Sequence, residues 1–194
     1  MVKDLHTLIL LLFLAVIQSV TAQEKYEREY GIAPSEVPDA AIHFVAQITS
    51  SRKVNWYKEE SLSTFSYEAK TKIKGQRFSI EFDTSGILED VEIIVKARDI
   101  EENTLHKIKK HLEQETDQYK IEKIQQQYSG DTTLLINYFN NAKAEPKGIL
   151  CQYEIIVKTK INTQFFKYEY TFSSEGIFEK KRKIILRNTD NLEY

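Results

Sequence analysis

Apolar residues in the first half of the chain follow a helical spacing once and a strand spacing four times. Val37, Ala41, Phe44, Val45 and Ile48 recur at intervals of three and four, which predicts a helix over 37–48 with one buried face; Ser35 is a candidate cap and Pro38 is tolerated in the first turn. Segments rich in β-branched and aromatic residues follow at Val54–Glu59, Thr64–Lys74, Gln76–Phe82 and Ile87–Ala97, each predicting a strand. The alternation is clearest where Ala69, Thr71 and Ile73 interleave with Lys70, Lys72 and Lys74, so one side of the sheet is core and the other wet.

The same order of elements recurs downstream. Leu105, Ile108 and Leu112 repeat the helical spacing, and Ile121–Tyr128 stands where the first strand stood. Tyr153-Glu154 leads to Phe172-Ser173-Ser174-Glu175-Gly176-Ile177 as Tyr67-Glu68 leads to Phe82-Asp83-Thr84-Ser85-Gly86-Ile87, and both runs end in a branched triplet, Ile93-Ile94-Val95 and Ile184-Ile185-Leu186. A glycine at the end of each turn suits a left-handed backbone. The pattern predicts an α+β protein of two tandem helix-plus-antiparallel-sheet repeats, 35–98 and 99–194, that form one open sheet with the helices on one face. The second repeat carries an insertion at 129–150. Within it Asp131 can cap a helix bearing Leu134, Leu135, Tyr138 and Phe139, although 132–139 also reads as a strand, and 140–148 reads as a loop.

The start of the chain changes the picture. Lys3 precedes an apolar run from Leu8 to Ile17 and the small residues Ser19, Thr21 and Ala22, the pattern of a secretory signal peptide over 1–22 followed by a flexible segment, 23–34. The run is shorter than the roughly 20 residues of a membrane span, and an uncleaved anchor is the alternative. No later segment predicts a span, so the expected location is periplasmic or secreted. Hydrophobic residues make up 41% of the 194-residue chain, enough for a real core, and the formal charge of −2 lacks the basic excess of a nucleic-acid binder. The single cysteine, Cys151, has no partner for an internal disulfide and shares strand parity with Tyr153 and Ile155, which predicts a buried, inert thiol.

With helix and strands in place, Val37-Pro38-Asp39-Ala40-Ala41-Ile42, the aromatic pair Trp56-Tyr57 and the turn 82–88 resemble the PepSY-like, β-lactamase-inhibitor-like family of exported bacterial proteins. The resemblance covers about residues 37–186 and implies tandem helix-and-sheet units that hold a partner protein on an open, concave sheet surface, with restraint of peptidases or other enzymes one form of that binding. Ser173 in place of the turn aspartate and the 129–150 insertion depart from the pattern.

Candidate chemistry is sparse. His106 and His111 are five apart and diverge by about 140° on a helix, so they do not form an i, i+4 metal pair. No nucleophile elbow or phosphate loop is present. Asp99, Glu101 and Glu102 sit where a helix start favours negative charge. No catalytic residue, metal or cofactor is therefore assigned, and the expectation is a non-enzymatic module that binds a protein or peptide, an acidic partner suiting its lysines. The candidate partner-binding residues are Trp56, Tyr57, Lys70, Lys72, Lys74, Ile156, Lys158, Lys160, Phe165 and Lys167, with one of Trp56 and Tyr57 in the core because adjacent strand residues face opposite ways. A small-ligand or signal-sensing envelope domain is the rival reading, and an enzyme of unrecognised type the second. A shallow wet face favours protein docking, a deep pocket favours a ligand, and converging buried carboxylates with an opposing histidine favour catalysis.

Overall fold

A computed structural model describes residues 23–50, 53–116, 118–141 and 146–186. The expected signal peptide, 1–22, lies outside the described residues. Nine strands are formed: β1 (Gln23–Ile32), β2 (Asn55–Glu60), β3 (Phe65–Ile73), β4 (Gln76–Phe82), β5 (Leu88–Ile94), β6 (Tyr119–Gly130), β7 (Ile149–Ile161), β8 (Gln164–Ser173) and β9 (Phe178–Leu186). Three α-helices lie between them: α1 (Asp39–Ile48), α2 (Glu102–Glu115) and α3 (Thr132–Asn140). No helix among the described residues is long and apolar enough to cross a membrane.

The strands pair in chain order, each antiparallel to the next, and β1 then pairs parallel with β9 so that the sheet closes into a barrel. This overturns the expected architecture. The described residues form one continuous nine-strand sheet with three α-helices, neither two tandem helix-plus-sheet repeats nor an open sheet. Two pairings cause the difference. Val91–Ile94 of β5 pair with Gln125–Tyr128 of β6, which welds the two halves into one ladder. At the other seam, residues 23–32 form β1 instead of a flexible segment, and hydrogen-bond both sheet edges that would otherwise stay unpaired.

Side-chain parity decides what the barrel encloses. Ala69, Ile80, Phe82, Val91, Ile155, Val157 and Phe172 are fully buried on the face that meets the helices. Against them α1 sets Ala41, Phe44, Val45 and Ile48, and α2 sets Ile108 and Leu112. The helix-facing residues of the two halves meet through Val95, which packs against both clusters. The insertion segment is a helix, capped as expected by Asp131, whose carboxylate accepts from the backbone N–H of Thr133 at 2.9 Å and Leu134 at 3.1 Å. It closes the first half of the core: Leu135 is fully buried, Phe139 lies edge-on to Phe78 at 5.7 Å, and Asn140 donates to the Gln47 carbonyl of α1 at 2.9 Å. Ser35 does not cap α1, which starts after Pro38; Glu101 caps α2.

The two glycine turns keep their local likeness. Gly86 and Gly176 have φ of 81° and 79°, and each donates its N–H to the residue three before it. A Cβ would meet Pro38 at 2.6 Å in the first turn and the Thr104 carbonyl at 2.6 Å in the second, so each turn lies against the start of a helix. That contact requires glycine twice over, for its backbone and for its size.

Tyr170 and Phe172 are buried beneath α2, whereas Tyr168 on the same face is half-buried. Phe172→Ala is therefore expected to lose about 3 to 5 kcal/mol of stability by leaving a cavity, and Tyr168→Ala distinctly less. Urea unfolding of both variants measures this; equal losses would show that the packing gradient along β8 is wrong.

Candidate functional site

The strand face turned away from the helices points into the barrel. It was read as the solvated side of an open sheet, but closure by β1 makes it the wall of a chamber of about 810 Å³. Neighbouring strands contribute its side chains in register: Lys70 lies beside Ser79, Ser79 beside Glu92, Glu68 beside Glu81, and Gln125 beside Glu154. Ile156 and Glu169 pair in the same way. Such a face is unusual because charged groups are rarely withdrawn from water without compensation. Here Glu68, Glu92, Glu154 and Glu169 are all buried, Glu169 to 2% exposure.

Some of these charges are compensated directly. The carboxylate of Glu169 accepts from Lys25 Nζ at 2.9 Å and from Arg182 Nε at 2.7 Å, and Arg182 Nη2 reaches Glu154 at 3.2 Å. Burial alone would raise the Glu169 pKa, but the two cations outweigh it and hold the group below the ordinary carboxylate value. Glu68 accepts from the Ser79 hydroxyl and has Lys70 Nζ at 3.0 Å; Lys70 also salt-bridges Glu29.

A second group accepts hydrogen bonds only from neutral side chains, with Lys25 and Lys123 acting on it from beyond ion-pair distance. Glu81, Asp90 and Glu92 each present a carboxylate oxygen within 4.8 Å of the others. Gln125 donates to Glu92, and Gln127 donates to Asp90 at 3.0 Å, while Asp90 Oδ1 is buried with no hydrogen-bond partner. Desolvation, and then the neighbouring carboxylates, raises the pKa of all three; Asp90 is pushed up to about 7. Desolvation and Glu169 raise Glu154 in the same direction.

At the end of the barrel formed by the β3–β4 and β7–β8 hairpins, the lining changes sign. Lys53, Lys72, Arg77, Lys123 and Lys167 line this end together with Ile94, Ile156 and a single acid, Glu122, which is taken up by Lys167. From Lys72 to Glu68, or from Arg77 to Glu81, is four strand residues, about 13 Å at 3.3 Å per residue. The chamber therefore has a cationic mouth and a carboxylate floor.

The sequence-predicted partner residues scatter around this geometry. Lys70, Lys72, Ile156 and Lys167 line the chamber, Lys167 paired with Glu122 at 2.7 Å. Tyr57 is half-buried on the same face with Lys70 Nζ 4.6 Å from its ring centre. Trp56 is not available to a partner: it is 6% exposed in the core, 6.0 Å from Phe82. Lys74 is in the tight β3–β4 turn with φ of 51°. Phe165 is 61% exposed at the β7–β8 hairpin, with Lys158 4.5 Å and Lys160 5.9 Å from its ring centre. Sequence reasoning missed Glu68, Glu81, Asp90, Glu92, Glu154 and Glu169 as a group. Their shared parity with the lysines was the available signal. Cys151 is half-buried rather than enclosed, accepts from Gln126 at 3.2 Å, and burial pushes its thiol pKa up, as expected of an unreactive cysteine.

The chain matches no family model, and no curated protein matches it. Among solved structures it is similar to a DUF2874 family protein from Bacteroides ovatus ATCC 8483, at 13% identity over 76% of this chain and 87% of that one, with a TM-score of 0.49. It is also similar to a BLIP-like protein from Bacteroides fragilis NCTC 9343, at 13% identity over 84% of this chain and 94% of that one, with a TM-score of 0.48. At these TM-scores and identities neither likeness carries an argument about this chain.

The buried acids make a pH dependence. Glu81, Asp90, Glu92 and Glu154 have raised pKa values in the folded state, so their contribution is fully present below the unfolded carboxylate values near 4 and is lost as pH rises through the folded values, about 7 for Asp90. Glu169 works the other way: its contribution is present above the unfolded carboxylate value near 4 and is lost as pH falls through its depressed folded value. The midpoint of thermal unfolding is therefore expected to drop by on the order of 5 °C between pH 5 and pH 8. A midpoint that rises over that interval would mean that these acids are ionised and solvated.

Proposed function

We propose that the protein is an exported, non-enzymatic binding module whose site is the inner face of the barrel, and that its ligand is a small charged molecule entering by the lysine-bordered mouth. The observation that carries this reading is the chamber: about 810 Å³, within the range of ligand sites, and walled by charged side chains held in place by a rigid sheet. Burying so many carboxylates in an empty barrel costs stability, and a cavity that retains them against that cost has the character of a binding site. A partner laid across an open sheet, the arrangement implied by the family resemblance, would need β1 to leave its place between β2 and β9.

A non-enzymatic role is supported by the composition of the chamber. Carboxylates with raised and lowered pKa values coexist there, as in an acid/base pair, but Glu169, the carboxylate held ionised, is already clamped by Lys25 and Arg182.

A second reading has one specific observation behind it. Phe165 and Ile161, 61% and 46% exposed, stand on the β7–β8 hairpin with Lys158 and Lys160 beside them, a small apolar and basic tip that suits a protein partner docking at the barrel rim, including an enzyme to be inhibited.

Thermal-shift screening of the mature chain, residues 23–194, against charged and neutral polar metabolites separates these readings. Ligands are expected to raise the unfolding midpoint of the native chain, and Ile94→Trp and Ile156→Trp, which obstruct the mouth, should abolish the shift while leaving the circular dichroism spectrum unchanged. If shifts persist in both tryptophan variants, or none occur in the native chain, the chamber is not the site; loss of partner capture in Phe165→Ala would then favour the rim.

A further inference from the structure

The charges within the chamber are sorted, and the sorting specifies more than "polar". On the floor, Lys25 and Arg182 engage Glu169 and Glu154, and Lys70 engages Glu68. Glu81, Asp90 and Glu92 form no ion pair with any cation among the described residues, although they converge to within 4.8 Å of one another. Asp90 Oδ1, wholly shielded from solvent, has no donor. Four strand residues from Glu68 and Glu81, about 13 Å, the mouth presents Lys72 and Arg77, and Lys123 lies nearer, where its charge acts on Glu92. Resting on the reading of the chamber as a ligand site, we infer that its ligand is a compact dipolar molecule whose ammonium or guanidinium group is received by the lining carboxylates of Glu81 and Glu92, beside Asp90, and whose anionic group stays at the cationic mouth, as in a basic α-amino acid or a short peptide ending in one.

Alternative occupants fit less well. A bare divalent cation would satisfy the three carboxylates, but it would leave most of an 810 Å³ volume unused and would have to pass a mouth of like charge. A simple anion is drawn by the mouth but leaves Glu81 and Glu92 without a cationic partner. A ligand with both charges is complementary at both ends, and a guanidinium presents a fork of N–H donors to carboxylate oxygens such as those of Glu81 and Glu92. The floor acids also hold protons when no cation is present, because burial raises their pKa, so entry of a cationic group releases protons.

Isothermal titration of the mature chain at pH 7, with L-arginine, agmatine (arginine without its carboxylate), L-glutamate and calcium chloride as probes, tests the inference. Arginine is expected to bind, agmatine about tenfold more weakly, and glutamate and calcium more weakly than either. Titration in two buffers of different ionisation enthalpy should show proton release with arginine. Glu92→Gln, which keeps the shape of the protonated acid, and Asp90→Asn should each weaken arginine by at least about tenfold, while Arg77→Ala should weaken arginine but not agmatine. Tighter binding of glutamate or calcium than of arginine, or arginine binding without proton release, overturns the inference. If arginine fails but another polar compound shifts the native chain and not Ile156→Trp, the chamber remains a ligand site and only this assignment falls; if nothing binds, both fall.

Discussion

Everything distinctive about this protein depends on one stretch of backbone hydrogen bonding, the insertion of β1 between β2 and β9. Its antiparallel register with β2 runs from Arg28 beside Glu60 to Ile32 beside Trp56, and its parallel register with β9 runs from Gln23 beside Arg182 to Glu27 beside Leu186. Without those pairings the same strands would make a curved sheet with helices on one side and a charged surface in water on the other. With them, the charged surface has an inside. The edge groups of two strands are satisfied at once, a strong incentive for closure because unpaired edges invite association with other chains.

Closure carries an electrostatic cost that shapes the interior. Carboxylates moved out of water must be paired, hydrogen-bonded or protonated. The barrel uses all three solutions in different places. Glu169 is paired by Lys25 and Arg182; Glu68 has Ser79 and Lys70; Glu92 and Asp90 have only the side-chain amides of Gln125 and Gln127 and are driven toward the neutral form. The helix-facing side, by contrast, is apolar, with Phe82, Ile80, Ile155 and Phe172 enclosed by α1, α2 and α3. One sheet therefore separates an oily layer from a charged one, and stability comes from the first while the capacity to recognise a ligand resides in the second.

Much of this was legible in the sequence and some of it was not, for identifiable reasons. Strand parity was readable because Ala69 alternates with Lys70 and Lys72, and the structure puts Ala69 in the helix-facing core and the two lysines in the chamber. The glycine turns and the Asp131 cap were readable because each rests on a local backbone requirement. Closure was not: β1 reads Gln-Glu-Lys-Tyr-Glu-Arg-Glu-Tyr-Gly-Ile, with no apolar alternation to mark a strand, since both of its strand contacts are made by backbone and its inward side lines a charged cavity. The mistaken tandem repeats have a related origin. Similar turns and helices are local signals, whereas the β5–β6 ladder that merges the halves is a long-range pairing with no local signature. The carboxylate floor was overlooked because Glu68, Glu92, Glu154 and Glu169 look like ordinary exposed acids until the face they occupy is enclosed.

The most direct test of closure is an NMR measurement on residues 23–194: amide hydrogen exchange along β1, combined with cross-strand nuclear Overhauser contacts to β9. A closed barrel requires slowed exchange in residues 24–31 and contacts in parallel register, such as Lys25 with Ile184. Exchange of those amides at the rate of an unstructured peptide, with no contact to β9, would contradict the account at its foundation.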